Sequence, residues 1–254
     1  MKAKKLFILT LVVVLFSSFG SISFAEPKAD SGGTVIYQAE EITDLDVLFD
    51  RAKNGISDVT NDSEQALFVV QSPSDNNDNI KQYTTTQKLL AVQNGEELVE
   101  TFSKVSFLVI TNDYNSSENG NLIRPFGSKE EEEWDSGYGL RAYSKVNYTR
   151  TLNNNVYAYK LDSVSGGWDK SDSRYILSDR KVVYGISGNA QGSGIGVSRS
   201  SGNLYPSGNT FSYTAPSSWP ALETNLKMGV NTYITIERGT SSTWTLHHQN
   251  NLTQ

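Results

Sequence analysis

The chain contains no cysteine and only two histidines in 254 residues. The first absence excludes a disulfide scaffold, thiol catalysis and any thiolate metal site. The second leaves no third imidazole for a zinc centre, and no His-Glu-x-x-His pair occurs. His247 and His248 are neighbours, so in a strand they would point to opposite faces and not share one metal. A membrane-length apolar run is also missing: Leu6 to Phe16 spans 11 residues, against the roughly 20 that cross a bilayer.

That short run follows Lys2, Lys4 and Lys5 and leads to Ser23-Phe24-Ala25, a small-x-small site. Residues 1–25 therefore read as a secretory signal peptide cleaved after Ala25, and the product as a secreted, extracellular protein. A secreted chain without disulfides suits a Gram-positive bacterium. Its stability has to come from buried apolar area.

The formal net charge of −6 is an average over unlike parts. Residues 26–137 hold 22 acidic and 8 basic side chains, a balance of −14. Residues 138–254 hold 6 acidic and 11 basic, a balance of +5, with 10 of the 13 tyrosines and 3 of the 4 tryptophans. This coincident shift predicts an acidic α+β domain at 26–111 and a polar, acidic linker at 112–137. A basic, tyrosine-rich β-sandwich domain is expected at 138–254. The run Glu130 to Glu133 reads as a solvated loop.

In the first part, Thr43 with Asp46 forms a reduced capping box, and Ile42 with Val47 occupies the staple positions. Leu45, Leu48, Phe49 and Ala52 share a helical face, which Asn54-Gly55 ends. A second helix is expected from Asn94, with Leu98, Phe102 and Val105 on one face. Strands are expected at 66–71, 82–92 and 106–111. The second part alternates from Leu140 to Tyr148, turns at Asn153-Asn154-Asn155 and returns from Val156 to Val164. Further strands are expected at 174–187, 195–199, 210–214, 230–238 and 242–248, the pattern of a sandwich.

Chemical motifs are thin. Gly185-Ile186-Ser187-Gly188 lacks the spacing of a nucleophile elbow. Gly192-Ser193-Gly194-Ile195-Gly196 has the wrong spacing for a phosphate loop and reads as a β-hairpin. Asp75 to Asn79 lacks the glycine and glutamate of a calcium loop and reads as a turn. No catalytic constellation, metal site or cofactor is expected.

The remaining signal is cationic and aromatic. Arg141, Lys145, Arg150 and Lys160 interleave with Tyr143, Tyr148, Tyr159 and Trp168. Cations attract phosphates of a membrane surface or wall polymer, and tyrosine and tryptophan suit contacts at headgroup level. Nucleic acid is a poor partner for a secreted acidic chain.

Trp134-x-x-Gly137-Tyr138-Gly139, Ala142-Tyr143-Ser144, Tyr157-Ala158-Tyr159 and Gly167-Trp168 resemble the pattern of lactococcin-like unmodified bacteriocins, which have a tryptophan-containing β-sandwich. The layout, a signal peptide before a cysteine-free mature protein, is similar to the large geobacillin-type bacteriocins of Gram-positive bacilli. The resemblance implies a protein that kills related bacteria at the envelope, and it transfers no catalytic residue. The eight residues above would then dock on an anionic envelope component: a lipid headgroup, wall polymer or wall precursor. The acidic segment would cover that surface until a target competes. A transporter or immunity protein is a further expected partner. A non-toxic surface or carbohydrate-binding protein and a cell-wall hydrolase are the alternatives.

Overall fold

β-Branched and aromatic residues alternating with polar ones dominate the sequence, and the chain answers with long strands. A computed structural model describes residues 33–59, 68–71, 79–111, 138–238 and 242–254. Strand β1 (Thr34–Gln38), helix α1 (Leu45–Lys53) and the short β2 (Phe68–Gln71) come first. Four long strands follow: β3 (Asn79–Asn94), β4 (Glu97–Thr111), β5 (Tyr138–Asn153) and β6 (Val156–Lys170). Then come β7 (Tyr175–Ala190), β8 (Gly196–Ser200), β9 (Thr210–Thr214), β10 (Leu222–Arg238) and β11 (Ser242–Thr253).

All eleven strands belong to one antiparallel sheet in the order β1-β3-β4-β5-β6-β10-β11-β2. Strand β7 also pairs with β10 and carries β8, while β9 pairs with β6. The β content expected of 138–254 is present. The strands form an open sheet whose two arms are joined in the ladder at one residue pair, Leu222 with Tyr159. The parts assigned to 26–111 and 138–254 are hydrogen-bonded along their length, from Leu98 opposite Leu152 to Thr111 opposite Tyr138. The described residues fall in one compact unit.

One apolar cluster draws on both arms. Phe102, Leu108, Ile110, Val146 and Trp168 come from one, and Tyr184, Met228, Val230, Ile234 and Leu246 from the other. A second, smaller cluster lies under α1, where Leu48, Phe49 and Ala52 pack against Val105, Phe107 and Val109 of β4. Strand β4 is thus covered on both faces, its odd residues by the helix and its even ones by the other arm. Burying Leu48 and Phe49 stabilises the helix contact by about 1.5–3 kcal/mol per side chain.

The helix forms where its pattern predicts, with its start one residue later. Asp44 rather than Thr43 caps it, accepting from the amides of Asp46 and Val47. Gly55, at φ +66°, follows the last turn. The helix expected from Asn94 does not form: residues 97–111 are β4, paired with β3 on one side and β5 on the other. The spacing of Leu98, Phe102 and Val105 fits a helix, but two flanking strands supply a complete ladder, and β-branched residues fill it. Asn94-Gly95, with Gly95 at φ +60°, turns a hairpin instead. The strands expected in the second part are all present, β10 and β11 being longer than predicted. Residues 190–196 join β7 to β8 as the expected hairpin. The turn assigned to Asp75–Asn79 and the acidic linker lie outside the described residues, apart from Asn79, which opens β3.

Candidate binding surfaces

Strands β5 and β6 bring the sequence-selected residues into one region, but the chain covers most of them. Arg141 is nearly buried, 5% exposed, and bridges Asp46 of α1 at 3.1 Å and Asp169 at 2.9 Å. Its guanidinium also sits 5.8 Å from the Phe49 ring. Lys145 meets Glu41 at 2.7 Å. Arg150 donates from Nε and Nη2 to the same oxygen of Glu100, at 2.9 and 2.7 Å. It lies 4.8 Å from the Phe102 ring and 4.9 Å from that of Tyr157. Tyr148, Tyr159 and Trp168 are buried. Tyr148 stacks on Phe102 at 5.1 Å, and Trp168 packs on Phe211 at 5.7 Å. Tyr143 packs against the cluster under α1, and desolvation raises its hydroxyl pKa. Lys160 is half-buried beside Asp162.

Glu100 shows how firmly this surface is held. Burial alone would push its carboxyl up, but hydrogen bonds from Lys88 and Arg150 outweigh that and hold it below the usual range. Glu100 itself is only 4% exposed, so the two cations neutralise a charge that water cannot reach.

The segment carrying Glu41 and Asp46 forms a strap over β3, β4 and β5. Strand β1 adds to the edge of β3, from Thr34 opposite Gln93 to Gln38 opposite Leu90. The Gln87 side chain accepts from Ile42 N at 2.9 Å and donates to Ile42 O at 3.2 Å. Farther along, Asp58 accepts from Lys88 N at 3.0 Å and from Arg51 at 2.9 Å. Acidic side chains of the first part therefore cover cations of the second.

Between the arms lies a buried polar seam. Lys104 Nζ donates to Asn251 O at 2.9 Å, and Asn250 Nδ2 to Ser144 O at 2.9 Å. His248 Nε2 lies 2.9 Å from Ser106 Oγ. The Nδ1 of His248, the Ser144 hydroxyl and Asn250 Oδ1 are buried with no partner among the described residues. Desolvation, with a smaller repulsion from His247, lowers the His248 pKa to about 3.

The solvent face of the second arm is open and was not singled out by the sequence. Lys181, Tyr233 and His247 stand in register across β7, β10 and β11. The Lys181 ammonium sits 3.9 Å from the Tyr233 ring, and His247 stacks on that ring at 4.1 Å. Asn231 Oδ1 and Gln249 Nε2 approach His247 Nε2 at 3.4 and 3.3 Å. Desolvation, aided by Lys181, lowers the His247 pKa. Beyond this row the same face opens into a trough of about 190 Å³ whose lining includes Arg199, Lys227 and Asn231. The two histidines do point to opposite faces, one into the seam and one outward. No group of three or more metal-ligating side chains is found among the described residues.

Comparison with protein-family models, curated proteins and solved structures finds no match to the chain.

Proposed function

We propose that this is a secreted, bacteriocin-like antibacterial protein in its covered form, acting at an anionic component of the envelope of related bacteria. The observation that carries the reading is the strap: Glu41 neutralises Lys145 at 2.7 Å and Asp46 engages Arg141 at 3.1 Å. A cationic band that must stay soluble until it reaches phosphate needs such a cover, and phosphate competes for the same guanidinium and ammonium groups. In this reading the arms act as two layers of a sandwich-like body, supported by the apolar cluster they share. Tyr148, Tyr159 and Trp168 keep that body in shape, while Arg141, Lys145, Arg150 and Lys160 make the contact. The protein binds and performs no chemistry of its own.

The test compares growth inhibition of related Gram-positive strains by residues 26–254 and by the Glu41→Gln/Asp46→Asn double variant. Each pair is only partly buried and is worth up to about 1 kcal/mol, so losing both should raise the uncovered population roughly fivefold and lower the inhibitory concentration to match. Inhibition by neither form would refute the reading.

A carbohydrate-binding function is favoured by the Lys181–Tyr233–His247 stack flanked by Asn231 and Gln249. Rings with nearby amides suit sugar faces and hydroxyls. Retained binding to purified wall glycan, with target viability unchanged, would support it.

A further inference from the structure

We infer that the trough on the solvent face of the second arm is a binding site for a polyol phosphate, a phosphate group carrying a short hydroxylated chain. Register builds the trough. One row across three strands is Ser198, Ser187 and Lys227. The next is Ser200, Gly185, Gly229 and Asn251, and the third contains Val183 and Asn231. Alternate residues of a strand share a face, so all three rows point to the same side. The middle row has two glycines at its centre, where the neighbouring strands come too close for a side chain.

Those glycines are required by the packing. A Cβ on Gly185 would lie 2.5 Å from Arg199 O, and one on Gly229 2.1 Å from Asn250 O. Gly229 also has φ +150°, which other residues rarely adopt. The floor is therefore bare backbone of β7 and β10, flanked closely by β8 and β11.

The lining has one sign of charge. Lys227 is exposed and lines the trough, and no aspartate or glutamate does. Lys227 has no carboxylate partner among the described residues. The contrast with β5 is complete: there, Arg141, Lys145 and Arg150 are all paired. Around this cation stand the hydroxyls of Ser187, Ser198 and Ser200 and the amide of Asn231. Cations take phosphate oxygens by charge-assisted hydrogen bonds, and hydroxyls and amides take polyol oxygens. At about 190 Å³ the trough falls below the roughly 300–1,000 Å³ of pockets for drug-sized ligands, which fits a small polar unit. The inference deepens the envelope reading by naming a ligand class, and it rests on that reading only for the ligand's source.

The test is calorimetric titration of residues 26–254 with glycerol 1-phosphate, inorganic phosphate and glycerol. Glycerol 1-phosphate should bind tightest. Lys227→Gln should weaken it about tenfold, the loss of one hydrogen bond to a charged group. Arg180→Gln, which removes an equal charge from a side chain bonded to Asn209 outside the trough, should leave affinity unchanged. Ser187→Val, neutral and bulkier, should also weaken binding without lowering the melting temperature. Absence of binding, equal loss in the Lys227 and Arg180 variants, or inorganic phosphate binding as tightly as glycerol 1-phosphate would each overturn the inference. Sedimentation with phosphatidylcholine vesicles, with and without phosphatidylglycerol, separates the sources. Capture that needs phosphatidylglycerol and is lost in Lys227→Gln supports a lipid headgroup; glycerol 1-phosphate binding without capture supports a soluble or polymeric phosphate. A protein that inhibits no strain yet binds glycerol 1-phosphate refutes the envelope reading and keeps the site.

Discussion

Lowering the pH from 7 to 5 should cost the folded chain about 2 kcal/mol through His248 alone. In the unfolded chain this imidazole titrates near its ordinary 6.5, and in the folded seam near about 3. The folded pKa is depressed, so the unfolded state binds more protons throughout the interval between the two values. His248 therefore makes its full contribution above about pH 6.5, and that contribution falls as the pH drops toward 3. Each pH unit inside the window is worth about 1.4 kcal/mol, and the interval from 6.5 to 5 accounts for the loss. The cause is local: His248 is 1% exposed, and among the described residues its Nδ1 has no partner to receive an added proton's hydrogen bond. The assay is urea unfolding at both pH values for the wild type, His248→Gln and His247→Gln. Carboxylates contribute to the pH slope of every form and cancel in the comparison. The wild type should lose about 2 kcal/mol more than His248→Gln, while His247→Gln, changed on the half-buried outer face, should keep most of the wild-type slope. Equal slopes for the wild type and His248→Gln would show that the seam admits the proton freely, and would refute the argument.

Arg150→Met should lower unfolding free energy by about 3 kcal/mol, because it strips one of two cations from a buried carboxylate; Glu100→Gln in the same background should restore part of the loss. An Arg150→Met protein as stable as wild type would mean Lys88 suffices. Trp168→Ala should cost about 3–5 kcal/mol by denaturant titration, since it empties a buried site against Phe211. A change below about 1 kcal/mol would place that ring at the surface instead. Gly229→Ala should cost at least about 1–3 kcal/mol through its backbone conformation alone, with a fall in melting temperature as the readout. An unchanged melting temperature would refute the close approach of Asn250 O.

Local patterns were readable wherever a single neighbour decides the outcome. The face of Leu45, Leu48, Phe49 and Ala52 announces α1 because a helix completes its own hydrogen bonds. The turns at Asn154-Asn155, both at positive φ, and between β7 and β8 announce themselves through residues that tolerate those angles. The strand expected at 106–111 forms as the end of β4, but the first part of β4 was not readable. Its ladder is supplied by β3 and β5, the latter across a long stretch of chain, so nothing within residues 94–105 distinguishes it from a helix. The aromatic and basic residues of β5 and β6 were legible as a group but not as surface or core. A tyrosine such as Tyr148 alternates correctly for either role, and its burial depends on the arm that packs over it. The trough left almost no trace in the sequence, because its rows come from β7, β8, β10 and β11.

What the sequence determined by itself is chemical: a chain free of cysteine, poor in histidine, acidic in one part and basic and aromatic in the other. Those properties need no fold, because they belong to side chains one at a time. Which cations are spent on carboxylates and which remain open was decided only by the tertiary structure. Arg141 and Lys145 lie beneath the strap, Arg150 is locked to Glu100, and Lys227 stands beside a glycine floor with no acid in its lining. A charge acts over a few ångströms, and only the register of long strands brings residues so distant in sequence within that range.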